Sequence, residues 1–199
     1  VKEMWQNDPQ LAGFLDPIIS RRIRHGGRGD TRELVSFAAK EMHKPDGPRV
    51  GLLEFEGFDT HALQGNEDGH HAEILAELDG VLEGFKRQMG DLYDNTVVVT
   101  VTEFGRTASE NGTQGTDHGW ASAIFLAGGL VKGKQVISDW PGLGSKDLYE
   151  GRDLLMTIDA RDVYAEVVKT VFDLNDQDIA RDVFLGYRPE KSLGLMRST

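Results

Sequence analysis

Thr96-Val97-Val98-Val99-Thr100-Val101-Thr102 is the stretch whose reading decides the fold class. Valine and threonine are stiff at χ1 and pack well on a pleated surface, so a run of them favours a strand over a helix. The run is continuously β-branched, which suits a central strand of a parallel sheet covered on both faces. Working outward, Ala121 to Ala127 is a further apolar run, closed by Gly128-Gly129. Arg49 to Phe55, with Val50, Leu52, Leu53 and Phe55, is predicted to be a buried strand. A helix is expected over about Gly69 to Met89, where Ile74, Leu75, Leu78, Val81, Leu82 and Phe85 recur at three and four. Another is expected over Arg161 to Phe172, with Val163, Tyr164, Val167, Val168 and Val171 inward. Strand, helix, strand, loop, strand, helix is an α/β order, predicting a mostly parallel sheet with helices on both faces.

The flanks are less patterned. Val1 to Ile23 reads as one or two short amphipathic helices broken at Pro17, and Arg21 to Gly29 as a basic, glycine-rich loop. Asp30 is the expected N-cap of a helix over Thr31 to His43, with Glu33 as its box partner and Leu34, Val35, Ala38 and Met42 buried. Asp94-Asn95 marks a turn, Ala108 to Gly119 a polar loop, Val131 to Leu143 short strands and turns, and Asp176 to Val183 a weak helix before a coiled tail. With no internal repeat or linker composition, residues 1–199 read as a single domain: a helical lead-in over 1–48, an α/β core over 49–175 and a tail over 176–199. The chain begins with Val1 rather than Met, which suggests a fragment or a processed product.

Composition narrows the function. The 199 residues are 39% hydrophobic and 28% charged, ordinary for a globular protein, and carry a net charge of -11. That charge repels phosphate backbones and anionic membranes, so no nucleic-acid partner is expected. A small anionic substrate binds only where cations or metals reverse the local field. There is no cysteine, which removes disulfides, thiolate catalysis and cysteine-based zinc sites together. The longest apolar run, Ala121 to Gly129, is strand length, far short of the roughly 20 residues of a membrane span, and no signal peptide is visible.

Three polar clusters lie beside the predicted strands, where ligands bind in open α/β sheets. Asp59 and His61 follow the first strand, Glu103 and Arg106 end the second, and Asp117 and His118 precede the third. Asp59 with His61 supplies a carboxylate and an imidazole two residues apart, donors that suit zinc, manganese or iron. The bland reading is that Asp59 or Thr60 caps a turn and His61 is merely exposed. Glu103 ligates a metal or pairs with Arg106 in a salt bridge, and Arg106 offers a planar fork to an anionic oxygen. His118 is a candidate metal ligand, with Asp117 a second ligand or a partner behind it; alternatively the pair is a turn aspartate and a surface histidine. His70 and His71 face different directions at the start of a helix and score lower. No Gly-x-Ser-x-Gly elbow, P-loop or Gly-x-Gly-x-x-Gly after a strand is present, against a Ser109 or Ser122 triad and against nucleotide binding by those routes.

Taken together, these clusters resemble the pattern of a bacterial family, domain of unknown function family 1501. Phe58-Asp59-Thr60-His61 with Gln64 resembles its Trp-Asp-Thr-His motif, Thr102 to Thr107 with Asn111-Gly112 its Ser-Glu-Phe-Gly-Arg-Thr motif, and Gly115 to Gly119 its Gly-Gly-Thr-Asp-His-Gly motif. Asp139 to Leu143 and Asp159-x-Arg161-x-Val163-Tyr164 match as well. The family is similar to the sulfatase and alkaline phosphatase superfamily, and its members are mostly exported by the twin-arginine route. The resemblance implies a phosphatase- or sulfatase-like fold, incomplete here, a periplasmic or otherwise exported setting, and one or two divalent ions (zinc, manganese, calcium or magnesium). It makes Asp59, His61 and His118 ligands of the first ion, with Glu103 where the superfamily has an Asp-His-Gly aspartate and Phe104 in place of the histidine. The superfamily's nucleophile has no counterpart here, so the chain reads as the C-terminal half of a longer protein.

The function expected on these grounds is metal-dependent hydrolysis of phosphate or sulfate esters, the substrate a small anionic or envelope-associated ester, with Arg106 and Glu103 assisting. The alternatives are a non-catalytic exported domain that keeps at most a structural ion, and a cell-envelope polymer-binding module with Trp120 and Trp140 as stacking surfaces.

Overall fold

The computed structural model describes residues 28–189 and 191–197. The helices predicted within 1–23, and the loop residues before Arg28, lie outside them. The architecture is mixed α/β. Helix α1 (Arg28–Met42) precedes the long helix α2 (His70–Met89), and a 3-10 turn (Gly90–Asn95) leads into four two-residue strands: β1 (Val98–Val99), β2 (Gly105–Arg106), β3 (His118–Gly119) and β4 (Leu126–Ala127). Helix α3 (Ala160–Phe172), the short α4 (Asp176–Asp178) and a π-helical turn (Ile179–Val183) follow.

The helices lie where the apolar periodicity puts them. α1 packs on α2 through buried Val35, Ala39, Ile74, Val81 and Met89. The C-terminal ends of the two helices meet where the His43 ring contacts the Gln88 carbonyl at 3.0 Å. Asp30 falls inside α1 and so is not the N-cap expected for it. α3 buries Val163, Ala165 and Val167, close in sequence to Ile179, the most deeply buried large side chain among the described residues. Its N-terminus is capped by Asp159, whose carboxylate accepts from the Arg161 N–H. At α4, Asn175 and Asp178 form a reciprocal capping box. The tail returns to this half of the molecule: the Glu166 carboxylate accepts from the Gly194 and Leu195 N–H groups at 2.9 and 3.0 Å, and Met196 pairs with Val131.

The strands differ from expectation in two ways. First, β1 pairs antiparallel with β4 (Val98 with Ala127, Val99 with Leu126), and β2 antiparallel with β3 (Gly105 with Gly119, Arg106 with His118). No parallel pair occurs among the described residues. The physical reason is the connection. Parallel neighbours need a crossover of a dozen or more residues, usually a helix, whereas the stretch between Thr102 and Ala121 forms none. The chain therefore doubles back as one long hairpin whose tip is the loop at 108–116. Thr100 N–H still bonds the Phe125 carbonyl, so five residue steps separate Thr100 from Gly105 while six separate Phe125 from Gly119. The extra residue is a bulge on the returning side. Gly105 is required there, because a Cβ would stand 1.8 Å from the Ala121 carbonyl oxygen.

Second, Arg49 to Phe55 forms no strand, and Val50, Leu52 and Leu53 are exposed, Leu52 at 94%. A strand needs a neighbour for its backbone donors and acceptors. Nothing among the described residues supplies one there. The core among the described residues therefore comes mainly from the helices, with Val131 and Leu195 beside them.

Candidate metal centre

Two loops meet at the hairpin tip. The first, residues 58–64, is stitched to the second, 111–117, by backbone bonds from Leu63 to Thr113 (3.0 Å), Gln64 to Gln114 (2.8 Å) and Thr116 to Thr60 (3.1 Å). Side chains add a second layer. Gln64 Oε1 accepts from the hydroxyls of Thr60 and Thr116 at 2.6 and 2.7 Å, with Thr60 buried. The approach is close enough to exclude a side chain at Gly115, where a Cβ would lie 2.3 Å from the His61 carbonyl carbon. The glycine that the sequence pattern singles out is thus where one loop lies on the other.

This stitching brings three groups from distant positions to one point. His61 Nε2 and His118 Nε2 lie 3.0 and 3.1 Å from the same Asp59 oxygen, Oδ1, and 3.2 Å from each other. Asp59, His61 and His118 form a group that can hold a metal ion, and each side chain is about half exposed. Ligands at about 2.0–2.2 Å from a first-row divalent ion must themselves stand about 3.0–3.5 Å apart. The three edges of this donor triangle fit that requirement, and its two nitrogens and one oxygen fit the ion's chemistry.

Each histidine is held by a different device. His118 stacks face to face on Phe104, centroids 3.8 Å apart and planes 17° from parallel. His61 turns its other ring nitrogen, Nδ1, toward Asp117 Oδ1 at 3.7 Å. Asn111 holds Asp117 in turn, its Nδ2 donating to Asp117 Oδ1 (2.9 Å) and to the His61 carbonyl (3.1 Å), while its Oδ1 accepts from the N–H groups of Thr113 and Gly115, both at 3.0 Å. All four hydrogen-bonding places of the amide are filled. The Asn111 bond holds the Asp117 carboxyl below its ordinary range; partial burial opposes this, and His61 adds to it. For Asp59, burial raises the carboxyl, but the hydrogen bonds from Arg106 and His118 and the charges of both histidines outweigh it and leave the group lowered.

Arg106 sits differently from a substrate-facing arginine. Its Nη1 donates to Asp59 Oδ1, its Nε to Thr116 Oγ1 (3.0 Å), and its Nη2 to the carbonyls of Thr60 (2.9 Å) and Thr116. All three nitrogens are engaged with the two loops, so the guanidinium clamps them together and orients Asp59. It pairs with Asp59 and not with Glu103. Glu103 is exposed and, like Asp117, stands outside the donor group of three. His71 also stays outside, edge-on to Phe58 with a part-buried ring whose pKa burial and the Arg106 charge depress. Sequence reasoning assigned no role to Asn111, Thr113 or Gln64. The signal for Asn111 is its place before Gly112-Thr113, since an asparagine in such a stretch caps the backbone two residues on.

Fold and site together define a mixed α/β protein with an open Asp-His-His donor cluster at the tip of an antiparallel hairpin. The family described as "Protein of unknown function (DUF1501)" matches residues 30–184, and the chain belongs to that family. No curated protein and no solved structure matches it.

Proposed function

We propose that Asp59, His61 and His118 hold a divalent ion, and that the site serves hydrolysis of a phosphate or sulfate ester. The observation that carries the proposal is the donor triangle: two imidazole nitrogens and one carboxylate oxygen converge within 3.2 Å of one another on a half-exposed surface. Two imidazoles favour zinc or manganese over calcium and magnesium, which prefer oxygen ligands. Such an ion supplies Lewis-acid polarisation of an ester oxygen and reverses the local field of an acidic protein. The chain's own residues orient the donors: Arg106 fixes Asp59, Asp117 fixes the His61 ring, and Phe104 fixes the His118 ring. With Phe104 where the sulfatase-like pattern has a histidine, one ion is proposed and not two. The sulfatase-like ancestry, the nucleophile contributed from outside these residues and an exported location belong to the same proposal, resting on the resemblance of the motifs. So does a wider, parallel sheet.

Titration of metal-free protein with zinc and with manganese is the test, read by calorimetry and by metal analysis after gel filtration. One equivalent retained by the wild type and lost in His118→Ala is expected. Absence of stoichiometric binding by either ion sinks the proposal. Hydrolysis is then assayed on aryl phosphates and aryl sulfates. Engagement of all three Arg106 nitrogens with the loops favours the second reading, a non-catalytic domain with a structural ion, in which metal binds, no ester is cleaved and His118→Ala lowers stability.

A further inference from the structure

A second feature lies beside the metal centre and shares no residue with it. Past β3 the chain runs through Ala121 and Ser122, which form one wall of a surface hollow. Leu154, Leu155 and Thr157 form another, held beside β2 by the pairing of Asp153 with Thr107 and with Tyr149. Ser138, Trp140, Pro141 and Gly142 close it. The hollow is shallow, with a cavity volume of about 100 Å³ that opens to solvent, so it offers a face for one ring and not an enclosing pocket. Its third wall is shaped by a tight turn. Gly142, at φ +113°, and Gly144 both lie against the Asp147 carboxylate, and the Asp147 N–H bonds the Gly144 carbonyl at 2.8 Å. This turn presents Trp140 with 60% of its surface open to solvent.

The lining selects a ligand class. No ionisable side chain lines the hollow, although the chain carries a net charge of -11. Asp139, adjacent to the wall, is paired with Lys191 at 3.1 Å. An ionic ligand therefore finds no counter-charge. A purely apolar ligand would strip water from the hydroxyls of Ser122, Ser138 and Thr157, which have no side-chain hydrogen bond among the described residues. A sugar ring meets both demands, offering a face of C–H bonds to the indole and a rim of hydroxyls to the three side chains. Trp120, which precedes Ala121, stacks on Tyr149 with centroids 5.8 Å apart and planes 24° from parallel.

We propose that this hollow binds an uncharged sugar ring, with Trp140 as the stacking face and Ser122, Ser138 and Thr157 as its hydrogen-bonding partners. The site stands whether or not the neighbouring triad holds metal. Chelator-treated full-length chain is titrated with cellotetraose, maltotetraose and chitotetraose, followed by tryptophan fluorescence and calorimetry. Benzyl alcohol serves as the apolar control and tetragalacturonate as the anionic one. At least one neutral oligosaccharide is expected to bind saturably. Trp140→Ala weakens that binding about tenfold or more, Ser138→Ala weakens it measurably, and Trp120→Phe keeps the fluorescence response of Trp140. Zinc-loaded protein gives the same affinity within about twofold, which separates this outcome from that of the metal titration. The proposal is overturned if none of the three oligosaccharides binds, or if benzyl alcohol binds the site more tightly than they do. It is also overturned if affinity is unchanged in Trp140→Ala and Ser138→Ala proteins of native circular dichroism.

Discussion

One carboxylate oxygen, Asp59 Oδ1, receives His61, His118 and Arg106 at once. Three positive or potentially positive groups around one acceptor give a carboxyl that stays ionised and imidazoles that are oriented before any ion arrives. The residue behind the His61 imidazole is Asn111, which holds both Asp117 and the His61 carbonyl. Partners behind a ligating histidine are worth tenfold to a hundredfold in metal affinity. Asn111→Ala is therefore expected to weaken zinc binding about tenfold or more while leaving the fold intact, and Asp117→Asn to act in the same direction. Calorimetric titration checks both, and a variant that binds zinc as the wild type does removes Asn111 from this role. Arg106→Ala is expected to cost more than a surface charge would, because it removes at once the bonds to the Thr60 and Thr116 carbonyls, the Thr116 hydroxyl and the Asp59 carboxylate; urea unfolding measures it.

Among the elements, α3 carries the clearest local code. Asp159 caps its first turn and pairs with Arg161 through both carboxylate oxygens. The Arg161 hydrogen bond holds the Asp159 carboxyl below its ordinary value, against the opposing effect of burial. A lowered folded-state pKa contributes stability above the ordinary carboxylate range and loses it as pH falls through the folded value. Asp159→Ala should cost about 1 kcal/mol at neutral pH and flatten the acid limb of the stability curve below about pH 4. At the other end of the scale, burial and the hydrogen bond to Asp162 (2.7 Å) push the Tyr187 hydroxyl above its usual range. A raised folded-state pKa gives stability that is complete below about pH 10 and declines as pH rises toward the folded value. Tyr187→Phe is expected to lose that alkaline decline, which denaturant unfolding between pH 9 and about pH 11 would show. α3 is readable in the sequence because it carries its own cap and its own apolar stripe, α1 and α2 through the stripe alone. The strands were only half readable. Thr96 to Thr102 and Ala121 to Ala127 announce β structure through β-branched and apolar side chains, yet just Val98–Val99 and Leu126–Ala127 pair, and they pair antiparallel. Partner and direction belong to the connection and not to the strand.

For the molecule as a whole, the two-residue ribbons are too short to stand alone, and the loops of the site are held by the bonds between residues 58–64 and 111–117. An ion bound at a hundred times its dissociation constant stabilises the folded state by about 2.7 kcal/mol. Zinc is accordingly expected to raise the melting temperature by several degrees and a chelator to reverse the rise, with no response in His118→Ala; a calorimetric scan with and without zinc decides it. Val50, Leu52, Leu53, Val101 and Phe125 are exposed, without cover from the other described residues.

The sequence alone determined the helices α1 to α3, the absence of cysteine chemistry, the family and the two clusters that hold Asp59, His61 and His118. These follow from local properties: periodicity, capping and residue type at short spacing. Tertiary structure decided what spacing cannot express. It turned the expected parallel pairing into a hairpin. It committed Arg106 to clamping Asp59, separated Glu103 from the donors and left Arg49 to Phe55 without a partner strand. It also brought Asn111 behind His61, 50 residues away in the chain. The physical reason is that a hydrogen bond or a donor triangle depends on distances between segments. Those distances are set when whole loops pack against one another, with Gly115 lying on the His61 backbone.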